Sequence, residues 1–386
     1  MASVKKHNAY RGLIIWMLVL LALAALAYAG YMYTQKDLER AAQENETEVQ
    51  RINDERSAQY LAAVNEREQQ NTAAVQIDEQ WPVPAAQGWD VVDLSALPVS
   101  AGSQISVTRE EMLKGGLLVV NRWHAMPADL TDDMMVSINR YSRADNDKTT
   151  NLPTVNASIS MMAPAVEALM NLYQDARDQG LDMDNIIIEG GYRTMEEQTL
   201  NWQQEETKLN SRYSGDRLIE KVRETVAYPG TSDFQAGMSF KVYNYKSGDK
   251  DFSNTPLHET VQGRWLYDNS WRYGIVFRFP IQGFPYPDTV DKSYITGINL
   301  KNNKVYRYVG KANAIAMHAM DQCLEEYAQY LIDHPHIAVF EDGALRCEVY
   351  RLADPYSDAM VTIPNGAAGY TVSSDNLGGM VIAVNY

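Results

Sequence analysis

Positive charge is in short supply: 34 Lys and Arg stand against 50 Asp and Glu in 386 residues, a formal net charge of -16. Phosphate backbones are held by basic side chains that release counterions, so this deficit, with no basic stripe anywhere, excludes nucleic acid as a partner. Cysteine is nearly absent. Cys323 and Cys347 permit one bridge at most, and a bridge or two buried free thiols are both open. Gly and Pro are missing from residues 35–75, which excludes a turn-rich segment there and favours a helix.

One long apolar run does occur, from Gly12 to about Tyr33, after Lys5, Lys6 and Arg11 and before Asp37 and Glu39. At about 1.5 Å of rise per residue it is long enough to cross a hydrocarbon core. The charge bias predicts a cytoplasmic tail at 1–11, a transmembrane anchor at 12–33 and an extracytoplasmic remainder, hence a single-pass protein of the cell membrane. The alternative is a cleaved export signal ending near Ala27-Tyr28-Ala29. The Glu-, Gln-, Arg- and Ala-rich stretch that follows reads as a helical stalk at 34–78, with pairs such as Glu48 and Arg51 at helical spacing. Pro82, Pro84, Pro98 and scattered Gly mark a linker at 79–115.

The main domain spans 116–332. Leu117 to Asn121 has a strand signal; Ala163 to Gln179 alternates as an amphipathic helix before Gly180, and Ile186-Ile187-Ile188 reads as a buried strand before Gly190-Gly191. A helix starts near Met195, strands are expected at Met238 to Tyr245 and Tyr273 to Phe279, and a final helix at Lys311 to Ile332. Helices around strands that do not alternate regularly give an α+β fold, a mainly antiparallel sheet flanked by helices. The tail at 333–386 carries four short strand candidates between Gly, Asn and Asp and reads as a small β-rich extension.

Gly191-Tyr192-Arg193-Thr194 with Glu197-Gln198, then Pro229 to Lys241, Arg278-Phe279-Pro280 and Arg307-Tyr308-Val309-Gly310 resemble, in order, segments of the zinc D,D-carboxypeptidases that trim D-alanine from peptidoglycan stem peptides, the group that includes the vancomycin-resistance carboxypeptidases. That family carries Ser-Glu-His-Gln-x-Gly-x-Ala-x-Asp, whose His and Asp bind zinc, and Glu-x-Trp-His-x-Arg-Tyr-Val-Gly, which supplies the catalytic Glu and a second His. The resemblance puts Phe234, Lys241, Asn302 and Val305 at those four positions. Catalytic zinc takes about three protein ligands with lone pairs and lowers the pKa of its bound water to about 7. A phenyl ring and an isopropyl group have no lone pair, Lys241 presents a cation, and the Asn302 amide is not basic. The expectation is a degenerate member without zinc, without another cofactor and without the family's hydrolysis.

Other motifs fall short. His258-Glu259-Thr260-Val261-Gln262 misses the second His of a zincin, and His334 and His336 flank a proline, so a turn is preferred for them. His124 and His318 read as packing residues. Ser247-Gly248-Asp249-Lys250 and Ser374-Asp375-Asn376 only superficially match serine acyl-enzyme motifs. What the resemblance retains is its substrate side: Arg193, Gln198 and Ser232; for Lys241 two readings are open, a fixed cation in place of the metal and a pair with an acidic neighbour. The function expected is a membrane-anchored, inactive carboxypeptidase-like protein that binds stem peptides or another carboxylate-ended ligand of the cell envelope. The alternatives are an interaction scaffold with a filled cleft and a hydrolase with a relocated site.

Overall fold

The computed structural model describes residues 16, 20–26, 28–32, 36, 40, 51, 81–82, 84–144 and 151–386. The chain divides into two units, residues 1–48 and 49–386. In the first, the described residues are helical and exposed. The expected anchor at 12–33 is not sustained: among the described residues no helix is long and apolar enough to cross a membrane. A crossing takes about 20 consecutive apolar residues in one helix. The transmembrane addition to the fold class, the membrane-anchored function, the single-pass cell-membrane location and the membrane as partner are corrected with it. The tail at 1–11, the rest of the anchor span, and the stalk apart from residues 36, 40 and 51 lie outside the described residues.

The second unit is α+β with antiparallel sheets and flanking helices. It opens with two strands, β1 (Trp89–Asp93) and β2 (Gly102–Val107), and a short helix α1 (Arg109–Leu113). Two strand-to-helix steps follow, β3 (Met135–Ser137) to α2 (Ile138–Ala144) and β4 (Ser160–Met162) to α3 (Ala163–Asp178). Next come β5 (Ile186–Gly190), α4 (Met195–Leu209), α5 (Gly215–Arg223), β6 (Ser239–Asn244), α6 (Lys250–Asn254) and α7 (Val261–Asn269). The domain closes with β7 (Ile275–Phe277), α8 (Ser293–Thr296), β8 (Val305–Tyr308), α9 (Lys311–Met320) and α10 (Leu324–Asp333). Five strands end the chain: β9 (His336–Glu341), β10 (Ala344–Ala353), β11 (Ala359–Pro364), β12 (Gly369–Ser374) and β13 (Gly379–Asn385).

The functional region rests on the antiparallel sheet β5-β6-β8-β7. Helix α3 buries Ala165, Val166, Leu169, Leu172, Tyr173 and Ala176 in one core with Ile186, Ile188, Phe240, Val242 and Tyr306 of that sheet. Their three- and four-residue spacing puts them on one helix face. Helix α4 starts where Thr194 and Glu197 cap each other, the Glu197 amide donating to Thr194 Oγ1 at 3.2 Å and the Thr194 amide to Glu197 Oε2 at 2.9 Å.

Residues 84–115 contain two strands and a short helix. β1 pairs with β9 and β2 with β11, so this segment is woven into the C-terminal strands. The resulting sheet β1-β9-β10-β13-β12 is covered on both sides. Val381 and Ala383 of β13 pack with α9 and α10, while Met380, Ile382 and Val384 pack with Val107, Val361 and Ile363 of the β2–β11 pair. That is the period-two alternation of a strand between two layers. The extension therefore shares its core with the last two helices of the domain.

Two local expectations differ. Leu117 to Val120 is buried but forms no strand. The Leu117 amide donates to Ser373 Oγ at 2.9 Å, the Val119 amide to the Asp375 carbonyl at 3.0 Å, and Arg307 Nη2 donates to the Gly116 and Leu118 carbonyls at 3.0 and 2.7 Å. These partners replace a neighbouring strand. The single helix expected at 311–332 is two helices, broken at Asp321, which has φ 51°. Cys323 and Cys347 are free and buried, with no bridge between them.

Candidate functional site

Residues Asp233–Ala236 form a 3-10 turn that ends on Gly237 at φ 72°. Glycine suits this left-handed conformation, and an added Cβ would also press on the Met135 side chain, 2.6 Å from its Sδ. Gln235 closes the turn from inside, its Oε1 accepting from the Gly230 amide at 2.7 Å. Asp233 is buried and fixes the turn to the domain. Its carboxylate pairs with Arg307, lies 3.1 Å from Arg278 Nε and accepts from the Ser239 hydroxyl. Burial alone would raise its pKa, but the two guanidinium groups and Ser239 outweigh this and hold it below the usual carboxylate value. Arg278 in turn donates to both oxygens of buried Glu325, at 2.9 and 2.6 Å, and Asn121 Nδ2 donates to Glu325 at 3.1 Å.

This network holds Phe234 in place. Its ring packs with Phe279 and Val305, with Ile298 against them. Lys241 stands opposite Val305 across the β6–β8 pair. The structure therefore brings together three of the four positions at which the resemblance expects zinc chemistry. The side chains present do not fit the metal: two are hydrocarbon and have no lone pair to give, and the third is a cation. Lys241 Nζ lies 3.2 Å from Glu189 Oε1, with both side chains about 40% exposed (38% and 40%), so the cation is already answered by an acid. Asn302 is exposed, at φ 58° in the turn before β8, a conformation that Asn tolerates better than most residues. It lines a different pocket, with His258 and Lys304.

Three further histidines have partners elsewhere in the fold. His318 stacks on Trp271 at 4.1 Å, His334 lies 2.9 Å from Asp93, and His336 Nε2 lies 2.9 Å from Glu348. Among the described residues no group of three or more His, Cys, Asp or Glu is placed to hold a metal. Ser374 donates to Asp354 at 2.6 Å and Asp375 pairs with Arg351 at 2.6 Å, both buried in the C-terminal module.

Arg193 lies beside the Phe234 cluster. Its guanidinium carbon sits 4.1 Å from the Phe234 ring centre, and its Nη1 donates to Gln198 Oε1 at 3.1 Å. Gln198 Nε2 donates to the Ala227 carbonyl at 2.7 Å, so this buried amide orients the guanidinium. Burial draws the Arg193 pKa below its ordinary value, with Glu197 and Glu189 partly offsetting that. Neither acid forms an ion pair with it; Glu197 caps α4 and Glu189 pairs with Lys241. Ser232, expected on the polar rim, is buried at the start of the turn. Sequence reasoning gave no role to Asp233, Arg278 or Glu325, although Arg278 between aromatic residues was the available signal, since a charge inside an apolar strand run needs a buried partner.

Comparison with known proteins agrees with this geometry. Residues 158–290 match the family described as VanY, D-alanyl-D-alanine carboxypeptidase. A D-alanyl-D-alanine carboxypeptidase of Enterococcus faecium is 23% identical over 280 residues, covering 72% of this chain and 78% of that protein. One from Enterococcus faecalis is 30% identical over 162 residues, 41% of this chain and 52% of that protein, so about half of its length is spanned. The fold of the vancomycin-resistance D,D-dipeptidase VanXYg, solved with a D-Ala-D-Ala phosphinate analogue, superposes with a TM-score of 0.52 at 23% identity, covering 74% of this chain and all (100%) of that one. Residues 158–290 are thus a VanY-like, D-alanyl-D-alanine carboxypeptidase match, set in a chain with hydrocarbon where two of the expected zinc ligands would stand and no metal-binding cluster among its described residues.

Proposed function

We propose that this protein binds the carboxylate end of a peptide at Arg193 and does not cleave it by the metal-assisted route. The observation that carries the reading is the state of Arg193: a partly buried guanidinium, stacked on Phe234 and oriented by Gln198, with no acid paired to it among the described residues. Such a group gains from a bidentate carboxylate. The activity named for the relatives supplies the ligand class, peptides ending in D-Ala-D-Ala, as carried by peptidoglycan stem peptides. Cleavage is a separate matter. Without a metal, water keeps a pKa far above neutrality, and Asn302 cannot act as the base.

Titration calorimetry of the full chain with a D-Ala-D-Ala-ended peptide, followed by assay of the same sample for released D-alanine, tests this. Saturable binding without release is expected, weakened about tenfold or more in Arg193→Ala, the cost of a charge-assisted pair. D-alanine release that exhaustive chelation abolishes, or peptide binding indifferent to Arg193→Ala, would remove the reading. The packing of Phe279 and Val305 against Phe234 favours a second one, an interaction scaffold with a filled cleft. That alternative stands if no peptide binds at millimolar concentration.

A further inference from the structure

Beside β8 lies a pocket of about 220 Å³ that Arg193, Gln198 and Ser232 do not line. Phe277, Phe284, Tyr306 and His258 give it aromatic walls, braced edge to face: Phe277 and Tyr306 ring centres are 5.5 Å apart, and those of His258 and Phe284 5.0 Å. Its lining contains Lys304 and no Asp or Glu. In a chain with 50 acids and 34 bases this is a selective arrangement. Lys304 and Tyr306 are two residues apart on the extended chain entering β8 and so project to the same side.

Among the described residues no carboxylate lies within ion-pair distance of the half-buried Lys304 ammonium, and the Tyr306 hydroxyl makes no hydrogen bond with the protein. Although Tyr306 is only 3% exposed, its hydroxyl is not sealed off from solvent, so both groups stay open to a ligand in the pocket. Burial also pulls the Lys304 amine down, Glu189 offsetting this in part and Lys241 adding to it. An anion beside it would relieve that cost.

The geometry points to a second ligand site here, for a small aromatic carboxylate: one ring against Phe277, Phe284 and Tyr306, with its carboxylate on Lys304 and the Tyr306 hydroxyl as a further donor. The volume is below that of pockets for drug-sized ligands, which restricts the occupant to a single ring. The same chemistry is offered by a free aromatic acid and by a peptide ending in an aromatic residue.

Benzoate, benzyl alcohol and benzylamine present one ring with three charges. Titrated into the full chain and followed by calorimetry, benzoate is expected to bind saturably in the millimolar range or tighter and benzylamine not at all. Lys304→Gln weakens benzoate about tenfold, and Tyr306→Phe, which keeps the ring, several-fold. Thermal melting of each variant confirms that it is folded. N-acetyl-phenylalanine, run alongside, binds more tightly than benzoate if the natural occupant is a peptide end and more weakly if it is a free acid. Equal affinity for benzoate and benzylamine, no saturable benzoate signal, or unchanged benzoate affinity in folded Lys304→Gln would overturn the proposal. The readout holds whether or not a D-Ala-D-Ala peptide binds at Arg193.

Discussion

Lys241 faces Val305 directly across the β6–β8 ladder, and Val305 packs with Phe234. Two positions on one short segment, Phe234 and Lys241, and a third from a distant strand thus remain assembled in space while none of them can hold zinc. Restoring the chemistry on the existing frame should restore the metal. The combined substitutions Phe234→His, Lys241→Asp and Val305→His supply two imidazoles and a carboxylate, the number of protein ligands a catalytic zinc takes. After dialysis against zinc and then buffer, the variant is expected to retain close to one equivalent by elemental analysis and the parent protein none. A folded triple variant that stays free of zinc would show that the three positions do not converge.

Burial pushes the thiols of Cys323 and Cys347 well above the ordinary cysteine value. The thiolate is the reactive form, so neither should react with a thiol reagent at pH 8 in the native protein. Both should react after denaturation without reductant. Fewer than two labels in denatured, unreduced protein would mean that a bridge had formed.

Gly379 has no side chain because Arg351 occupies the space. An added Cβ would lie 2.2 Å from the Arg351 Nε that pairs with buried Asp375 at 2.6 Å. Gly379→Ala is expected to displace the guanidinium and cost about 3 kcal/mol of stability, as when a buried pair is broken. Chemical denaturation measures it; a loss near zero would mean that Arg351 relaxes without losing Asp375.

Glu348 gives the C-terminal module an acid sensitivity. Burial would raise its pKa, but His336, Tyr386 and the Ser100 amide outweigh this, and the folded value lies below the ordinary 4.5. A lowered folded pKa contributes stability that is complete above the unfolded value and is lost as pH falls through the folded one. Denaturation midpoints should therefore fall below about pH 4.5, and Glu348→Gln should flatten that part of the profile. An unchanged profile in the variant would assign the acid loss to other carboxylates.

Much of the domain was legible from periodicity. The helix read at 163–179 spans Ala163–Asp178, the apolar run at 186–188 lies in Ile186–Gly190, and the strand read at Met238 to Tyr245 is Ser239–Asn244. The ordered motifs also singled out Arg193, Gln198 and the four altered positions, of which the structure places Phe234, Lys241 and Val305 side by side and Asn302 apart. Less legible was anything whose cause lies far along the chain. β1 and β2 sit in a Pro- and Gly-punctuated stretch with no strong alternation, and they exist because β9 and β11 offer edges to them. β12, Gly-Tyr-Thr-Val-Ser-Ser, is too polar to stand out and is held by β13. The lysine of the aromatic pocket and the buried Asp233 network are products of folding, since sequence spacing cannot tell a charged residue with a distant partner from one without.

The pairing of Trp89 with Glu341 across β1 and β9 sets an order on biosynthesis. The first strands of the module leave the ribosome long before their partners are made, so they must wait while everything between them is synthesised. A chain stopped after α10 would have its four-stranded sheet but would leave β1 and β2 as orphaned edges and the apolar flank of α9 and α10 bare. Such a fragment should aggregate, and attempts to express the domain by itself will have to carry both β1–β2 and the five C-terminal strands.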